Sequence, residues 1–249
     1  MAEPLRLYGM KALVTSAAGG IGEAVARTLI KHGAEVLAVD DPKSGVEQHF
    51  ASVRGVHGLA TEFGDPDRIP ALVEEAAGKF GTLDILVNDF PLAPEAPITD
   101  DGAGLDELLR RRAELIMATC RSALPYLKKS PAGRIINMGF LRSVFAANAR
   151  SASQKAERDL AAISRALAAE TGSFGITANY VQPGAIMTPE SREVFRKDKS
   201  LRDYCISSSA AKRLGEPVDV AKVVLFLASD DAVFVSGTGV AVDGGRTDD

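Results

Sequence analysis

The sequence has few cysteines, no block of basic residues and no long hydrophobic run, and each shortage argues against a class of protein. Its two cysteines, Cys120 and Cys205, cannot form a disulfide framework and are typical of small buried residues in a reducing cytoplasm. A net charge of −4 without a basic block argues against a nucleic-acid-binding surface. No apolar run approaches the roughly 18 residues of a membrane span. We therefore expect a soluble cytoplasmic protein with no membrane or nucleic-acid partner.

Short apolar segments alternate with longer segments of helical periodicity along the 249 residues. The candidate strands are residues 11–16, 34–40, 56–60, 83–88, 133–138, 175–182 and 238–243, and the candidate helices are residues 20–32, 66–80, 105–128, 152–171 and 217–228. Because nearly all of the strand residues are apolar, we expect a parallel sheet covered by helices on both faces. The pattern predicts one α/β domain over residues 1–249, and we expect no metal site.

The segment of residues 187–213 differs from the rest of the chain because it is polar and only weakly periodic. It lies between the sixth and seventh candidate strands, and connecting segments of this kind often carry mobile covers of active sites. We therefore predict that residues 187–213 form a lid over a substrate site.

A glycine-rich segment, SAAGGIG, follows the first candidate strand and leads directly into a helix. Small residues allow a tight turn there and let a phosphate approach the backbone N–H groups at the start of the helix. Asp40 ends the second strand, where a carboxylate can accept hydrogen bonds from the ribose hydroxyls of NAD and repel the additional phosphate of NADP. The position of Asp40 therefore favours NAD over NADP as the cofactor. The alternative is a plain tight turn with a solvated Asp40.

Several motifs follow the order and spacing of one enzyme family. They are TSAAGGIG at 15–22, LVNDF at 86–90, NYVQPGAIMT at 179–188, and the segments at 213–230 and 235–245. The first is similar to TGxxxGxG, with Ser16 in place of the first glycine. The second is similar to the region of NNAG, where Asn88 matches and Asp89, Phe90 and Pro91 differ. On these motifs the chain resembles the short-chain dehydrogenase/reductase family over nearly its whole length.

The resemblance implies a doubly wound sheet of seven strands, a Rossmann fold, and hydride transfer between NAD and an alcohol or ketone. Residues 183–188 would line the nicotinamide side, with Thr188 near the carboxamide. The residues that the resemblance assigns to cofactor binding are Thr15, Ser16, Gly19, Gly20, Ile21, Gly22, Asp40, Asn88, Lys155, Pro183, Gly184, Ile186 and Thr188. It also implies a homotetramer, or at least a homodimer, in which the helices at 105–128 and 152–171 pair across a two-fold axis.

The family reaction uses a serine, a tyrosine and a lysine, usually with an asparagine. Tyrosine ordinarily has a pKa of about 10, and a nearby lysine ammonium and the positive nicotinamide ring lower it, so that the phenol can transfer a proton near neutral pH. Lys155 matches the lysine of the motif YxxxK, which places Ser151 at the tyrosine. A serine hydroxyl is far less acidic than a phenol, so Ser151 cannot simply take over this role.

The other catalytic positions also depart from the family pattern. Gly139 or Phe140 lies where the serine is expected, and Ser143 is a candidate substitute for it. The position of the asparagine falls near Arg112. The interval before Ser151 is about two residues shorter than the family spacing.

Lys155 and several side chains near it allow more than one interpretation. A lysine at this place in the family also binds the nicotinamide ribose, and we expect that role here, with a base or Schiff-base lysine as the alternative. Arg142 and Arg150 could bind an anionic substrate, although solvated loop arginines are more common. Tyr204 could donate a phenol from the lid, but a packing role is the simpler interpretation. The three histidines are expected at the surface.

The sequence leaves three functions open. The first is an NAD-dependent oxidoreductase with an altered proton donor, or with water held by Ser151 and Lys155. The second is a non-redox enzyme such as a halohydrin dehalogenase, whose counterpart segment is faintly similar to NDFPLAPEAPI at 88–98. Those enzymes rely on Ser, Tyr and Arg, however, and give up the glycine-rich loop that this chain largely retains. The third is a catalytically silent NAD-binding protein that acts as a partner subunit or a sensor.

Overall fold

The computed structural model describes residues 6–62, 64–90, 97–100, 104–147 and 149–247. Seven strands form one sheet, and each pair of neighbouring strands is parallel. In chain order they are β1 (Lys11–Thr15), β2 (Glu35–Asp40), β3 (Val56–Ala60), β4 (Ile85–Asn88), β5 (Arg134–Met138), β6 (Thr177–Pro183) and β7 (Gly239–Val242). Their order across the sheet is β3-β2-β1-β4-β5-β6-β7, which confirms the predicted doubly wound sheet.

Helices connect the strands and cover the sheet. They are α1 (Gly20–Lys31), α2 (Val46–Phe50), α3 (Ile69–Phe80), α4 (Leu105–Leu127), α5 (Arg150–Thr171), α6 (Pro189–Lys197), α7 (Lys199–Ser207) and α8 (Pro217–Ala228). The helices α1, α3, α4, α5 and α8 confirm those predicted from periodicity. In the part of the chain that the structure describes, no helix combines the length and the apolar content needed to cross a bilayer.

The core has two layers because alternate residues of each strand point to opposite faces of the sheet. On one face, α1 and α8 pack over side chains such as Val14 and Ile136. On the other face, α3, α4 and α5 pack over side chains such as Leu13 and Ile135. The order of the strands reverses between β1 and β4, so the carboxyl ends of these two strands border a crevice. Ligands of doubly wound sheets bind at such a crevice.

Residues 187–213, predicted as a polar lid, contain the two short helices α6 and α7. Thr188 caps α6: its hydroxyl accepts the Ser191 N–H at 3.1 Å, and the Ser191 hydroxyl accepts the Thr188 N–H at 2.8 Å. Phe195 and Leu201 are buried in a small apolar cluster under these helices. The segment is therefore packed onto the domain, and its function as a lid stays a prediction.

Candidate functional site

The turn between β1 and α1 is so tight that backbone geometry dictates its residues. Ser16 has a φ of 54° and Gly20 a φ of 56°, both in the left-handed region. A Cβ built on Gly22 would lie 1.9 Å from the carbonyl oxygen of Ser16, so only glycine fits there. Among the described residues, a Cβ built on Gly19 would meet no atom within 4 Å, so this side of the turn is open. Ile21 faces inward and is buried in the core.

Hydrogen bonds tie the ends of β1 and β4 together beside this turn. The Thr15 hydroxyl donates to the Asp89 carbonyl oxygen at 2.7 Å and accepts the Asp89 N–H at 2.8 Å. Asn88 is buried at the end of β4, and its amide donates to the side-chain oxygen of Asn137 at 2.9 Å. Thr15 and Asn88 therefore hold neighbouring strands in place, and their predicted contacts with a cofactor stay predictions.

Asp40 is held at the end of β2 by two backbone N–H groups. Its Oδ2 accepts the Ala18 N–H of the glycine-rich turn, and its Oδ1 accepts the Asp41 N–H, both at 2.7 Å. Each oxygen of a carboxylate can accept a second hydrogen bond. Asp40 is therefore fixed in orientation and still has acceptor capacity for two ribose hydroxyls.

The segment that follows β6 lies close to the glycine-rich turn. The Gly184 N–H donates to the carbonyl oxygen of Val242 in β7 at 2.9 Å. This hydrogen bond holds the start of the segment, directly after β6 ends at Pro183. Ile186 is buried in the core. The Thr188 side chain approaches the turn so closely that a Cβ built on Gly20 would lie 3.4 Å from its Cβ. Thr188, at the end of this segment, thus meets the turn at the crevice.

The residues around the turn fit the adenosine ribose and the diphosphate of a nicotinamide dinucleotide. The open side at Gly19 leaves room for a phosphate, and the first N–H groups of α1 have no acceptor within the helix. Asp40 supplies acceptors for the ribose. When bound, such a cofactor would supply the hydride or accept it. The chain itself would bind and orient it through the turn and Asp40.

Asp89 introduces a negative charge into this crevice. Burial raises the pKa of its carboxyl to about 6; the Arg112 guanidinium opposes this effect, and the carboxylates of Asp40 and Glu190 add to it. Asp89 therefore changes between its neutral and ionised forms at a pH closer to neutrality than an ordinary aspartate does.

A cavity of about 110 Å³ lies beside the ends of β5 and β6. Residues of β6, α5 and the segments after β5 and β6 contribute to its wall, among them Phe140, Ser153, Glu157, Gln182, Pro183 and Gly184. Ser153 and Glu157 lie one helical turn apart on the same face of α5. This face of α5 therefore meets the ends of the strands where a substrate would lie.

Lys155 forms ion pairs with two aspartates. Its Nζ is 2.8 Å from Asp106 on α4 and 3.6 Å from Asp159, and 42% of its side chain is exposed. Ser151 is also exposed. Two residues correspond to a rotation of about 200° around a helix, so Ser151 and Lys155 point away from the face that carries Ser153 and Glu157. Ser151 and Lys155 therefore do not share the face of α5 that lines the cavity, and their predicted roles in the site stay predictions.

The surroundings of Lys155 also argue against its alternative role as a base or Schiff-base former. The Asp106 carboxylate raises the pKa of Lys155, with a smaller contribution from Asp159. A lysine that acts as a base or nucleophile needs a lowered pKa, which burial or a neighbouring cation provides. Lys155 is instead a partly exposed member of an ion-pair cluster that links α4 and α5.

Phe140 fills the position beside the end of β5 where the sequence comparison expected a serine. Its ring is buried and packs edge-on against Phe145 at a centroid distance of 6.2 Å. The Arg112 guanidinium lies 4.0 Å above the Phe140 ring, and its Nη2 donates to the carbonyl oxygen of Met138. Burial lowers the pKa of Arg112 to about 10. An apolar ring and a buried cation therefore lie together beside the end of β5.

Two other candidates from the sequence, Arg142 and Tyr204, have partners within the fold, and Ser143 is buried. The buried Arg142 guanidinium donates to three carbonyl oxygens, those of Phe145 and Ala146 at 3.0 Å and that of Ala147 at 2.8 Å. It is therefore not a free anion-binding group, as one interpretation had it. Ser143 is buried in a 3-10 turn and is absent from the cavity lining formed by the described residues. Tyr204 packs with its ring 5.4 Å from the Arg142 guanidinium, in agreement with a packing role.

Comparisons with known proteins identify the family to which the chain belongs. A family model described as enoyl-(acyl carrier protein) reductase matches residues 16–247. The chain belongs to the short-chain dehydrogenase/reductase family. It is 31% identical to the 3-oxoacyl-[acyl-carrier-protein] reductase of Escherichia coli over 250 residues, which cover 97% of this chain and 98% of that protein. It is 36% identical to the cis-4-hydroxycyclohexanecarboxylate dehydrogenase of Sinomonas cyclohexanicum over 247 residues, which cover 95% and 96% of the two chains.

Family membership makes the register of α5 important. The interval before Ser151 is about two residues shorter than the family spacing. If the family's tyrosine and lysine are aligned with Ser153 and Glu157 instead of Ser151 and Lys155, the interval has the family length. Ser153 and Glu157 are also the residues of α5 that line the cavity. The sequence did not point to Ser153 and Glu157, because the match of Lys155 to the family lysine determined the alignment with the family motif. The short interval before Ser151 was the feature of the sequence that could have indicated Ser153 and Glu157.

Proposed function

We propose that this chain is an NAD-binding member of the short-chain dehydrogenase/reductase family that does not reduce carbonyl groups by the family reaction. The observation that carries the proposal is the face of α5 at the cavity. It presents Ser153 and Glu157 where we place the family's tyrosine and lysine, and Phe140 lies beside them. Such a chain would act as a nucleotide-binding partner subunit or sensor.

The chemistry of these side chains supports a silent site. In the family reaction a lysine cation lowers the pKa of the tyrosine phenol. Here Glu157 provides a negative charge in place of the cation, and a neighbouring anion disfavours ionisation of a hydroxyl. Tyr180 on β6 shows this effect, because burial and the adjacent Glu157 carboxylate both raise its pKa. Ser153 is a far weaker acid than a phenol, so it does not match the family's proton donor.

The relatives' names support oxidoreductase chemistry for those proteins, which are reductases and dehydrogenases. An oxidoreductase with an altered proton donor therefore remains the competing function for this chain. Turnover separates the two functions, because both require the cofactor to bind.

We expect the chain to prefer NAD to NADP because the Asp40 carboxylate lies where the additional phosphate of NADP would lie. Calorimetric titration should give an affinity at least about tenfold higher for NAD. Asp40→Ala should weaken NAD binding and reduce the difference between the affinities for NAD and NADP. Asp41→Ala removes the neighbouring carboxylate, whose Oδ1 accepts the Lys43 N–H, and should leave the preference unchanged. Equal or tighter binding of NADP by the native chain would exclude this preference.

We further propose that the chain forms a homotetramer, or at least a homodimer. Large apolar side chains are exposed on α8 and on the segment after it, namely Val218, Phe226, Val233 and Phe234, of which Phe234 is 100% exposed. Large exposed apolar side chains of this kind are typical of an interface between subunits. Light scattering at micromolar concentration should therefore give a multiple of 26.2 kDa. Phe234→Glu should lower the mass, whereas Phe174→Glu, in the turn after α5, should not.

A further inference from the structure

Acidic side chains from three elements surround the glycine-rich turn. Asp40 ends β2 and takes up the N–H of Ala18 through its Oδ2 at 2.7 Å. Glu190 lies in the first turn of α6, and its Oε2 is 3.6 Å from a Cβ built on Gly20. Asp89 follows β4 and interacts electrostatically with both carboxylates. A dinucleotide would bring the two negative charges of its diphosphate to this place.

The charge of Asp89 is poorly compensated. The charged groups that act on it are Arg112 from α4, Asp40 from β2 and Glu190 from α6. Arg112 is already held by the carbonyl oxygen of Met138 and by the ring of Phe140. Burial and the two carboxylates outweigh its attraction, since the pKa of Asp89 is raised to about 6.

We propose that Asp89 makes the affinity of this chain for a dinucleotide depend on pH, with tighter binding in acid than at pH 8, and that Glu190 weakens the binding at both pH values. The inference rests on the proposed function, in which NAD binds at this turn. Above a pH of about 6 the ionised Asp89 carboxylate repels the diphosphate, and below it the neutral carboxyl does not. The diphosphate diester of NAD stays ionised throughout this range. The change in affinity therefore originates in the protein.

The test is a calorimetric titration of the full chain at pH 5.5 and pH 8 with two probes, NAD and ADP-ribose. ADP-ribose keeps the diphosphate but lacks the positive nicotinamide ring, so it isolates the effect on the phosphates. We expect both probes to bind about tenfold more tightly at pH 5.5 in moderate salt. The difference should shrink as the ionic strength rises, because salt screens charges near the surface.

Two substitutions identify the carboxylates responsible. Asp89→Asn should bind at pH 8 as tightly as the native chain does at pH 5.5, and its affinity should no longer change with pH. Glu190→Gln should tighten binding at both pH values. Glu193→Gln is the matched control, because Glu193 lies on the same helix and pairs with Arg196 and Lys197. It removes the same charge and should leave the affinity unchanged.

The outcomes separate this inference from the proposed function. If the native chain binds both probes equally at the two pH values and Asp89→Asn changes nothing, the pH inference is overturned while NAD binding stands. If neither the native chain nor either variant binds NAD at any pH, the proposed function and the inference are both overturned. Thermal unfolding checks that Asp89→Asn is folded. If it is not, the native comparison and Glu190→Gln still decide.

Discussion

Carbonyl reduction should appear when Phe140, Ser153 and Glu157 are replaced together by serine, tyrosine and lysine. The triple variant would place a phenol beside an ammonium group on the face of α5 that lines the cavity. General acid–base catalysis contributes roughly 10²–10⁴-fold in rate, so reduction of a test ketone with NADH should rise by about that factor. A quadruple variant with Arg112→Asn prevents the guanidinium from filling the space that Phe140 leaves.

The matched control places the tyrosine at residue 151, as the sequence motif alone suggests, instead of at residue 153. Phe140→Ser with Ser151→Tyr keeps the native Lys155 and restores the family motif in the sequence alone. It should stay inactive, because Ser151 and Lys155 lie on a different face of α5 and Lys155 is paired with Asp106. Activity in this control and none in the triple variant would show that the helix register deduced from the structure is wrong.

Arg142→Met should reduce the free energy of unfolding by roughly 3 kcal/mol, because it leaves three partly buried carbonyl oxygens without their donor. Those carbonyls belong to residues 145–147, just before α5 begins. Urea denaturation measures the loss as a lower midpoint at an unchanged slope. Arg150→Met is the control: Arg150 is exposed at the start of α5, and its replacement should stay within about 0.5 kcal/mol. Equal losses in both variants would contradict the role given to Arg142.

Arg142 also connects stability with the site. By holding residues 145–147, its guanidinium fixes the path by which the chain enters α5. The Ala152 N–H in the first turn of that helix is further held by the Asp100 carboxylate at 2.8 Å. Together these contacts hold the carbonyl groups of residues 145–147 and the first turn of α5 in place.

The sheet could be predicted from the sequence because buried parallel strands are almost continuously apolar. β1, with its core residues Leu13 and Val14, and β6 follow this pattern and were located within two residues. The glycine-rich turn was also predictable. Its tight backbone and the close approach of Gly22 to Ser16 leave few residue choices, so the segment is informative by itself.

The catalytic end could not be predicted in the same way. The start of α5 depends on the 3-10 turn at 142–144 and on the hydrogen bonds of Arg142, neither of which has a periodic signal in the sequence. A helix also tolerates a shift of two residues without losing its apolar pattern, yet such a shift turns its polar residues to another face. Lys155 therefore matched a motif in sequence while Glu157 occupied the site in space.

The charge of Asp89 illustrates another limit. From the sequence, Asp89 only departed from the family motif at residues 86–90. Its raised pKa depends on burial and on Asp40 and Glu190, which lie far from it along the chain and meet it only in the folded crevice. Effects of this kind require the three-dimensional structure.

Deuteride transfer by the native protein tests whether this chain binds NAD without reducing carbonyl groups. The chain is incubated with NADH deuterated at C4 of the nicotinamide and with a panel of ketones, and the products are analysed by mass spectrometry. We predict no deuterated alcohol above the protein-free background, although calorimetry shows that the nucleotide binds. Deuterated alcohol formed at an ordinary enzyme rate, on the order of 1 s⁻¹ or more, would contradict the account and show that another group supplies the proton.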